Sequence, residues 1–227
     1  MKTGAVVLLL LFPPALAVGA GPLTPDDGHP ASLDFSLRFA RNKVPLEYAN
    51  RSQDSTSRWL GVNLREKAGR RVTLEFFGGY AFLTQTNNPL TAGVELDGYH
   101  AGFALHALLA EGRRASLYGS VEYIYQRVEH DSETQTVEIE WVQPQAEIGV
   151  IVNLAGPWRS YGGGTYGKID GEERASGSVS HTLSFERGAR SGGFLGLDLN
   201  VETDGYIGIE ARSGLVRSFE IYFKRRF

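Results

Sequence analysis

The sequence contains no cysteine, which excludes a disulfide framework and any thiolate metal site. After its first 20 residues, it has no run approaching the roughly 20 apolar residues that a transmembrane helix needs. An excess of positive charge is also missing: the 23 Lys and Arg residues less Lys2, which falls in the segment discussed next, leave 22 against 26 acidic side chains. This balance gives no sign of a nucleic-acid partner, and no loop has the acidic series of a calcium site. No metal or cofactor is therefore predicted.

The first residues have the composition of a secretory signal peptide. Lys2 precedes the apolar run 5–12, and Ala15-Leu16-Ala17 offers a small-residue cleavage site. The apolar core is too short to cross a bilayer as a helix. We expect cleavage after Ala17, with Ala20 as the second choice and a buried N-terminal strand as the alternative. Residues 21–30, rich in Gly, Pro and Asp, are expected to form a flexible lead before a single domain at 31–227.

The last ten residues alternate more clearly than any other stretch. Because side chains of a strand alternate between two faces, one apolar face is predicted, formed by Phe219, Ile221, Phe223 and Phe227. The opposite face carries Ser218, Glu220, Tyr222, Lys224 and Arg226. This segment with its final Phe resembles the closing strand of bacterial outer-membrane β-barrels. The resemblance implies that these four apolar residues serve as an assembly signal read by the barrel assembly machinery.

Apolar and polar residues alternate in the same way along most of the chain. This pattern predicts strands over 31–40, 58–65, 72–82, 98–109 and 116–126, a sixth that follows the next loop and ends at about 154, and further strands over 158–169, 178–186, 195–202, 206–212 and 218–227. That makes eleven segments, whereas single-chain bacterial barrels have an even number of strands. We therefore expect about ten, with eight or twelve open, and attribute the surplus to a terminal hairpin above the membrane or to a miscounted early strand. Pro144 cannot donate to a sheet ladder, so a bulge is expected there.

Long and short connections alternate between these segments. Polar loops are predicted at 41–57, 84–95, 129–134 and 170–177, and short turns at 66–70, 111–114 and 155–157. Residues 44–48 could instead extend a strand above the membrane. Segments of about ten residues with long outer loops and short inner turns are typical of a transmembrane barrel. An immunoglobulin-like sandwich and a soluble lipocalin-like barrel remain alternatives, because they also bury one strand face.

The predicted architecture is thus all-β, an antiparallel up-and-down transmembrane β-barrel. Aromatic residues near segment ends would form an interfacial girdle, with Trp59, Tyr80, Phe82, Tyr99, Tyr123, Tyr125, Trp158 and Phe227. The opposite faces carry charged and polar residues that would point into the lumen, namely Asp34, Arg38, His100, His106, Glu122, Glu147, Asp198, Glu210, Arg212, Glu220, Lys224 and Arg226. Among them His100, His106, Glu122, Glu147, Glu220 and Lys224 are expected to form a lumenal polar network, each His bonding for instance to Glu122 or Tyr118.

Two motifs come close to a catalytic or binding pattern. The run from Gly162 to Lys168 resembles a phosphate-binding loop, but Ile169 stands where that loop needs Ser or Thr, and no helix follows. His181 and Ser184 offer a His and a hydroxyl, yet their opposite parity places them on opposite strand faces, whereas a nucleophile and its base must be within hydrogen-bond reach. No catalytic residue is therefore predicted, and the segment 172–174 is expected to be a solvated loop.

The chain resembles the broad class that includes opacity-type and OmpA-like transmembrane barrels. That resemblance implies a protein of the Gram-negative outer membrane, exported through the periplasm, in contact with outer-membrane lipids, with periplasmic termini. The expected role is structural or surface-interacting, with the loops 41–57 and 84–95 as contact surfaces. A lipid A-modifying hydrolase is the alternative, and a narrow solute pore the third possibility. The ligand and the oligomeric state stay open.

Overall fold

The computed structural model describes residues 33–227 except 50, 87, 92 and 203. Ten antiparallel strands close into one barrel, each paired with its neighbours in the chain and β1 with β10. The strands are β1 Leu33–Tyr48, β2 Arg51–Lys67, β3 Val72–Gln85, β4 Glu95–Glu111, β5 Ala115–Asp131, β6 Gln135–Asn153, β7 Trp158–Gly177, β8 His181–Asn200, β9 Gly205–Ser213 and β10 Arg217–Arg226. The described part of the chain holds no helix long and apolar enough to cross a membrane. The predicted signal peptide and lead lie outside the described residues.

The predicted count of about ten strands is confirmed, but the surplus has a different origin from those expected. The predicted eighth and ninth segments, 178–186 and 195–202, belong to one strand, β8, which continues through the residues between them. The register between β7 and β8 shifts where Gly167 pairs with Arg190 and Ile169 with Arg187. Between these two pairs β8 contains one residue more than β7, which is a bulge in β8.

Two of the four predicted polar loops are largely strand. Residues 41–48 and 51–57 form the far end of the β1–β2 hairpin, and 170–177 belong to β7. The possibility that residues 44–48 extend a strand is the correct one. The short connections are confirmed after Lys67, Glu111 and Asn153.

The expected bulge at Pro144 is absent. Pro144 pairs with Tyr123 in an unbroken register on the β5 side. On the β7 side, the register from Val142 to Gln145 is also unshifted. The ring nitrogen simply leaves one ladder position without a donor, and the sheet continues past it.

The half of the barrel that holds Leu33 and Phe227, here the basal half, is apolar outside. Exposed outward side chains circle it, including Phe35, Phe39, Val62, Phe76, Phe103, Leu105, Val121, Ile148, Leu195, Ile209 and Phe223. On β4 this apolar belt runs from Tyr99 to Leu109, close to the roughly 9–11 residues that a tilted strand needs to cross a bilayer. The inward faces of the same strands are polar, and all twelve residues predicted to be lumenal have the inward parity of their strands.

The other half, here the distal half, has the opposite arrangement. Its outward side chains are polar or charged, among them Lys43, Arg58, Glu95, Arg127, Glu138 and Arg174. Its inward side chains form an apolar cluster with Val44, Leu46, Leu83, Leu96, Val128, Val137, Ile139, Trp141, Ile169, Ala175, Phe185 and Leu215. Full burial of such side chains stabilises by about 1.5–3 kcal/mol each. The distal half therefore has a core like that of a small water-soluble barrel.

A seam marks the boundary between the halves. β9 and β10 are short, and β1 pairs with β10 only as far as Lys43, which faces Arg217. Farther along, β1 pairs with β8 through Glu47 and Tyr48. The β9–β10 turn fills the gap between these pairings and inserts Leu215, which is 4% exposed, into the apolar cluster. The distal wall is thus closed by eight strands and the basal wall by ten.

Candidate functional site

The lumen of the basal half is organised around a buried carboxylate, Glu75 on β3. Arg65 on β2 donates to its two oxygens at 2.7 and 3.3 Å, and Asn63 donates to it as well. His106 Nε2 on β4 lies 2.8 Å from Glu75 Oε2. Arg38 on β1 approaches to 3.9 Å. Four strands are thus joined through a carboxylate that is only 3% exposed.

Further ion pairs cross the lumen beside this cluster. The Arg38 guanidinium donates two bonds to Glu220 on β10, at 2.8 and 2.5 Å. Arg212 on β9 is paired with Glu147 on β6 and with Glu210 on its own strand. Because each charge has a partner, this arrangement offsets much of the cost of burying charges in a narrow lumen.

Tyrosines and a last ion pair fill the lumen toward Leu33 and Phe227. The Tyr222 hydroxyl donates to Asp198, and the Tyr161 and Tyr222 oxygens lie 3.1 Å apart. The Tyr222 ring lies over Gly208, where an added Cβ would come within 2.1 Å of it. At the base, Arg226 donates to Asp34 at 3.1 Å.

An aromatic layer separates this charged region from the distal core. Trp59 stacks on His100 with ring centroids 4.4 Å apart and donates to Gln126 at 2.8 Å. The placement of Trp59 in an outer girdle is therefore wrong. Its side chain has the inward parity of β2, opposite to Leu60 and Val62. The alternation along the strand therefore predicts the direction of this side chain better than its closeness to a segment end does.

Two small cavities lie in the lumen among the described side chains. One of about 60 Å³ lies between the aromatic layer and the charged pairs, bordered by Trp59, Ile124 and Arg212. A second of about 40 Å³ lies beside Glu75 and Tyr118. Each has room for a few water molecules. The described side chains therefore leave no wide passage, as expected for barrels of this strand number.

The residues predicted as a lumenal network all line the basal lumen, but several have other partners than expected. His106 contacts Glu75 rather than Glu122 or Tyr118. His100 stacks on Trp59, and its Nδ1 is buried without a hydrogen-bond partner. The remaining four are engaged as follows: Glu122 accepts a hydrogen bond from Gln145, Glu147 pairs with Arg212, Glu220 pairs with Arg38, and Lys224 Nζ lies 5.1 Å from the Tyr206 ring centroid.

Glu75 was not among the lumenal residues predicted from the sequence, although its carboxylate contacts Asn63, Arg65 and His106. Its signal was present, since it lies between Leu74 and Phe76 and thus has the inward parity of β3. Which acid becomes the centre of a network depends on the register between strands. Here the register sets Glu75 opposite Arg65.

The distal rim holds a second buried carboxylate, Glu173 on β7. Tyr48 donates to it at 2.7 Å, Asn88 of the β3–β4 connection at 3.0 Å, and His181 Nε2 lies 3.1 Å away. Burial and the neighbouring Glu173 raise the pKa of the Tyr48 phenol. The prediction of a solvated loop at 172–174 is wrong, because Glu173 is fully buried in a strand. It ties the connection after β3 across the mouth of the barrel.

Neither near-match to a catalytic or binding motif forms a site. Ser184 is exposed on the outward face of β8, whereas His181 points toward Glu173. The run from Gly162 to Lys168 is part of strand β7, and strand rather than helix follows it.

The four residues proposed as an assembly signal lie on the outer surface. Phe219, Ile221 and Phe223 belong to the apolar belt, and Phe227 is 72% exposed. Beyond the last strand, the backbone N–H of Phe227 still donates to Leu33 at 2.9 Å. The final residue thus lies at the closing contact between β10 and β1.

Comparison with known structures identifies the class of fold. The chain is similar to the translocator domain of the autotransporter NalP from Neisseria meningitidis, with TM-score 0.52 and 14% identity over 88% of this chain and 90% of that one. It is also similar to the beta domain of the Bordetella autotransporter BrkA, with TM-score 0.51 and 15% identity over 87% and 100%. The fold is therefore that of a bacterial outer-membrane β-barrel. No protein-family model and no curated protein matches the chain, and identities this low concern the fold alone.

Proposed function

We propose that this chain is an integral outer-membrane protein of structural or surface-interaction type, which presents a closed polar-walled barrel outside the membrane. The observation that carries the proposal is the inverted distal half, with charged residues outside and the cluster around Ile139 and Trp141 inside. Such a wall is suited to water, whereas the apolar belt below it is suited to lipid. Residues 1–17 supply the export signal, and the distal half faces the cell exterior.

The lumen argues against the pore alternative. Ion pairs around Glu75 fill the basal part, the Trp59–His100 stack covers it, and the apolar cluster closes the distal part. A hydrated solute would have to displace both layers.

The hydrolase alternative has one supporting contact, between His181 and Glu173 at the rim. A hydrolase of the Ser, His and acid type also needs the hydroxyl within reach of the His, and Ser184 lies on the other face of β8. The contact serves better as part of the rim closure, because Tyr48 and Asn88 bind the same carboxylate.

The test compares channel activity with surface exposure. The purified full chain, reconstituted in planar bilayers, is expected to give no steady conductance steps, and an epitope inserted in the β5–β6 turn at 132–134 is expected to bind antibody on intact cells. Steady conductance would contradict the closed lumen. Antibody binding only after the outer membrane is permeabilised would contradict the orientation.

A deletion strain separates the two forms of the role. A structural protein predicts greater sensitivity to detergent, and a surface-interaction protein predicts altered attachment or cell aggregation with normal detergent resistance. A loss of small-solute uptake without either change would contradict both and favour the pore.

A further inference from the structure

Three cations lie together on the outer surface just beyond the apolar belt. They are Arg41 and Lys43 on β1 and Arg217 on β10, all exposed, and within the described residues none of them forms an ion pair. Lys43 faces Arg217 directly across the β1–β10 ladder. Like charges in directly opposite positions of a sheet are destabilising. In the described part of the chain, no carboxylate lies within ion-pair distance of either charge.

Other cations on the outer surface of the distal half have carboxylate partners. Arg127 lies 2.5 Å from Glu138, Lys168 lies 2.6 Å from Asp170, and Arg174 lies 2.9 Å from Glu138. The chain has more acidic than basic residues. The missing partners at the seam are therefore a local feature, which points to an external anion.

A cavity of about 460 Å³ lies at this point of the wall. Lys43, Arg187 and Arg217 border it, together with Pro45 and Leu215. One carboxylate, Asp54, is also in the lining, but within the described residues it forms no ion pair with these cations. The cavity therefore combines positive charge with an apolar side.

The third bordering cation, Arg187, is held in place by the seam. It donates to the carbonyl oxygens of Pro45 at 3.3 Å and Gly214 at 3.4 Å, and it lies 3.8 Å from Glu47. These contacts fix one wall of the cavity, while Lys43 and Arg217 remain available to a ligand.

The position of the three cations relative to the apolar belt indicates which kind of anion they bind. Phe39 and Phe219, each two residues from a patch cation on the same outward face, belong to the apolar belt. Cations immediately beyond such a belt lie at the level of lipid headgroups, where each attracts anionic lipid, and arginine binds phosphate oxygens with paired N–H donors. We propose that Arg41, Lys43 and Arg217 form a binding site for the phosphate group of a membrane lipid in the distal leaflet. This inference rests on the membrane placement given under the proposed function.

The test counts lipids retained by the barrel. The full mature chain is reconstituted in phosphatidylcholine nanodiscs containing a minor fraction of phosphatidic acid with the same acyl chains, and bound lipids are identified by native mass spectrometry. Wild type is expected to retain phosphatidic acid in preference to phosphatidylcholine. A variant with Arg41→Gln, Lys43→Gln and Arg217→Gln is expected to lose that preference by about tenfold or more, given the attraction per cation and the free energy of a tenfold change.

Two controls make the result specific. A variant with Arg127→Gln, Lys168→Gln and Arg174→Gln removes the same charge from the partnered cations and is expected to retain the lipid as wild type does. A variant with Arg41→Lys and Arg217→Lys keeps the charge and is expected to retain most of the preference. Heat-dependent gel migration checks that each variant is folded.

Each other outcome overturns a defined part of the account. Equal retention by wild type and the triple Gln variant, or equal loss in the partnered-cation variant, would overturn the site. Displacement of the lipid by inorganic phosphate at millimolar concentration would show a site for free phosphate instead of a lipid. A barrel that does not enter nanodiscs at all would overturn the membrane placement, which is a separate failure from insertion without lipid preference.

Discussion

The basal and distal halves of this barrel are built from the same strands with opposite chemistry. On β4, Leu105 faces outward and His106 inward in the basal half, whereas Asp97 faces outward and Leu96 inward in the distal half. The alternation of the strand is unchanged, and only the assignment of apolar residues to a face differs. The surroundings of the wall, lipid for one half and water for the other, decide which face of a strand is apolar.

The largest effect is expected from placing in the distal lumen a charge of the kind that lines the basal lumen. Ile139→Asp places an unpaired carboxylate in the apolar cluster, where Ile139 is fully buried. We expect a loss of about 4–5 kcal/mol or more, because a buried charge without a partner is among the costliest changes. Limited proteolysis should then cut the distal strands while the basal barrel stays inserted.

Ile139→Val serves as the control for that experiment, with an expected cost of about 0.5–1.5 kcal/mol and no new cleavage. If the Asp variant were as protease-resistant as the Val variant, the distal cluster would not be the core described above.

The converse change removes the central charge of the basal lumen. Glu75→Gln removes the negative charge that faces the guanidinium groups of Arg65 and Arg38 in the lumen. The expected cost is about 3–5 kcal/mol, since removing one partner leaves an uncompensated charge. Urea unfolding in lipid vesicles, followed by gel migration, measures it.

The matched control is Glu129→Gln, which removes an exposed carboxylate 3.7 Å from Arg127 and is expected to cost about 0–1 kcal/mol. Similar effects of the two variants would argue against a special role of the Glu75 cluster.

A third change tests the outer surface. Phe76 is 60% exposed within the apolar belt, so Phe76→Arg should destabilise the inserted barrel by about 2–4 kcal/mol. Thr84→Arg lies on the same outward face of β3 but beyond the belt, and we expect a change within about 0.5 kcal/mol. Unfolding in vesicles compares the two, and an equal cost would mean that lipid does not distinguish these positions.

The smallest effect on stability is expected from deleting Phe227. Its side chain is largely exposed, so the free energy of unfolding should change by less than about 1 kcal/mol. Insertion in cells should nevertheless fall, with chain left in the periplasm, because we propose that this residue is part of the assembly signal. Normal insertion, measured by membrane fractionation, would count against that role.

Much of the basal half could be predicted from sequence, because one rule describes it. Apolar residues at every second position gave the correct outward face for strands such as β4 and β10, and the lumenal parity of residues such as Glu147 and Arg212 followed. The rule needs no knowledge of contacts between strands.

The distal half was harder to predict because its pattern is inverted and diluted by polar residues. Residues 41–57 look like a loop, although Val44, Leu46 and Tyr48 alternate with Lys43, Pro45 and Glu47. The bulge in β8 shifts the alternation by one residue, so odd-numbered residues face inward before it and outward after it. Phe185 therefore points inward and Leu195 outward, although both are odd-numbered. One strand therefore resembled two.

The partners within the site could not be read from the sequence. Glu173 reaches Tyr48 and Asn88, which lie 125 and 85 positions away in the chain. Such contacts depend on strand register and on closure of the barrel, which residue types alone do not specify.

The most direct test of the two-halves account uses the natural absence of cysteine. Single nitroxide labels are attached through Leu105→Cys and Asp97→Cys, two positions on the outward face of β4, in the barrel reconstituted in vesicles. We predict that the label at 105 collides mainly with oxygen dissolved in lipid and the label at 97 mainly with a water-soluble nickel complex. If both labels met the nickel complex equally, or both met lipid, the division of the wall into a lipid-facing and a water-facing half would be wrong.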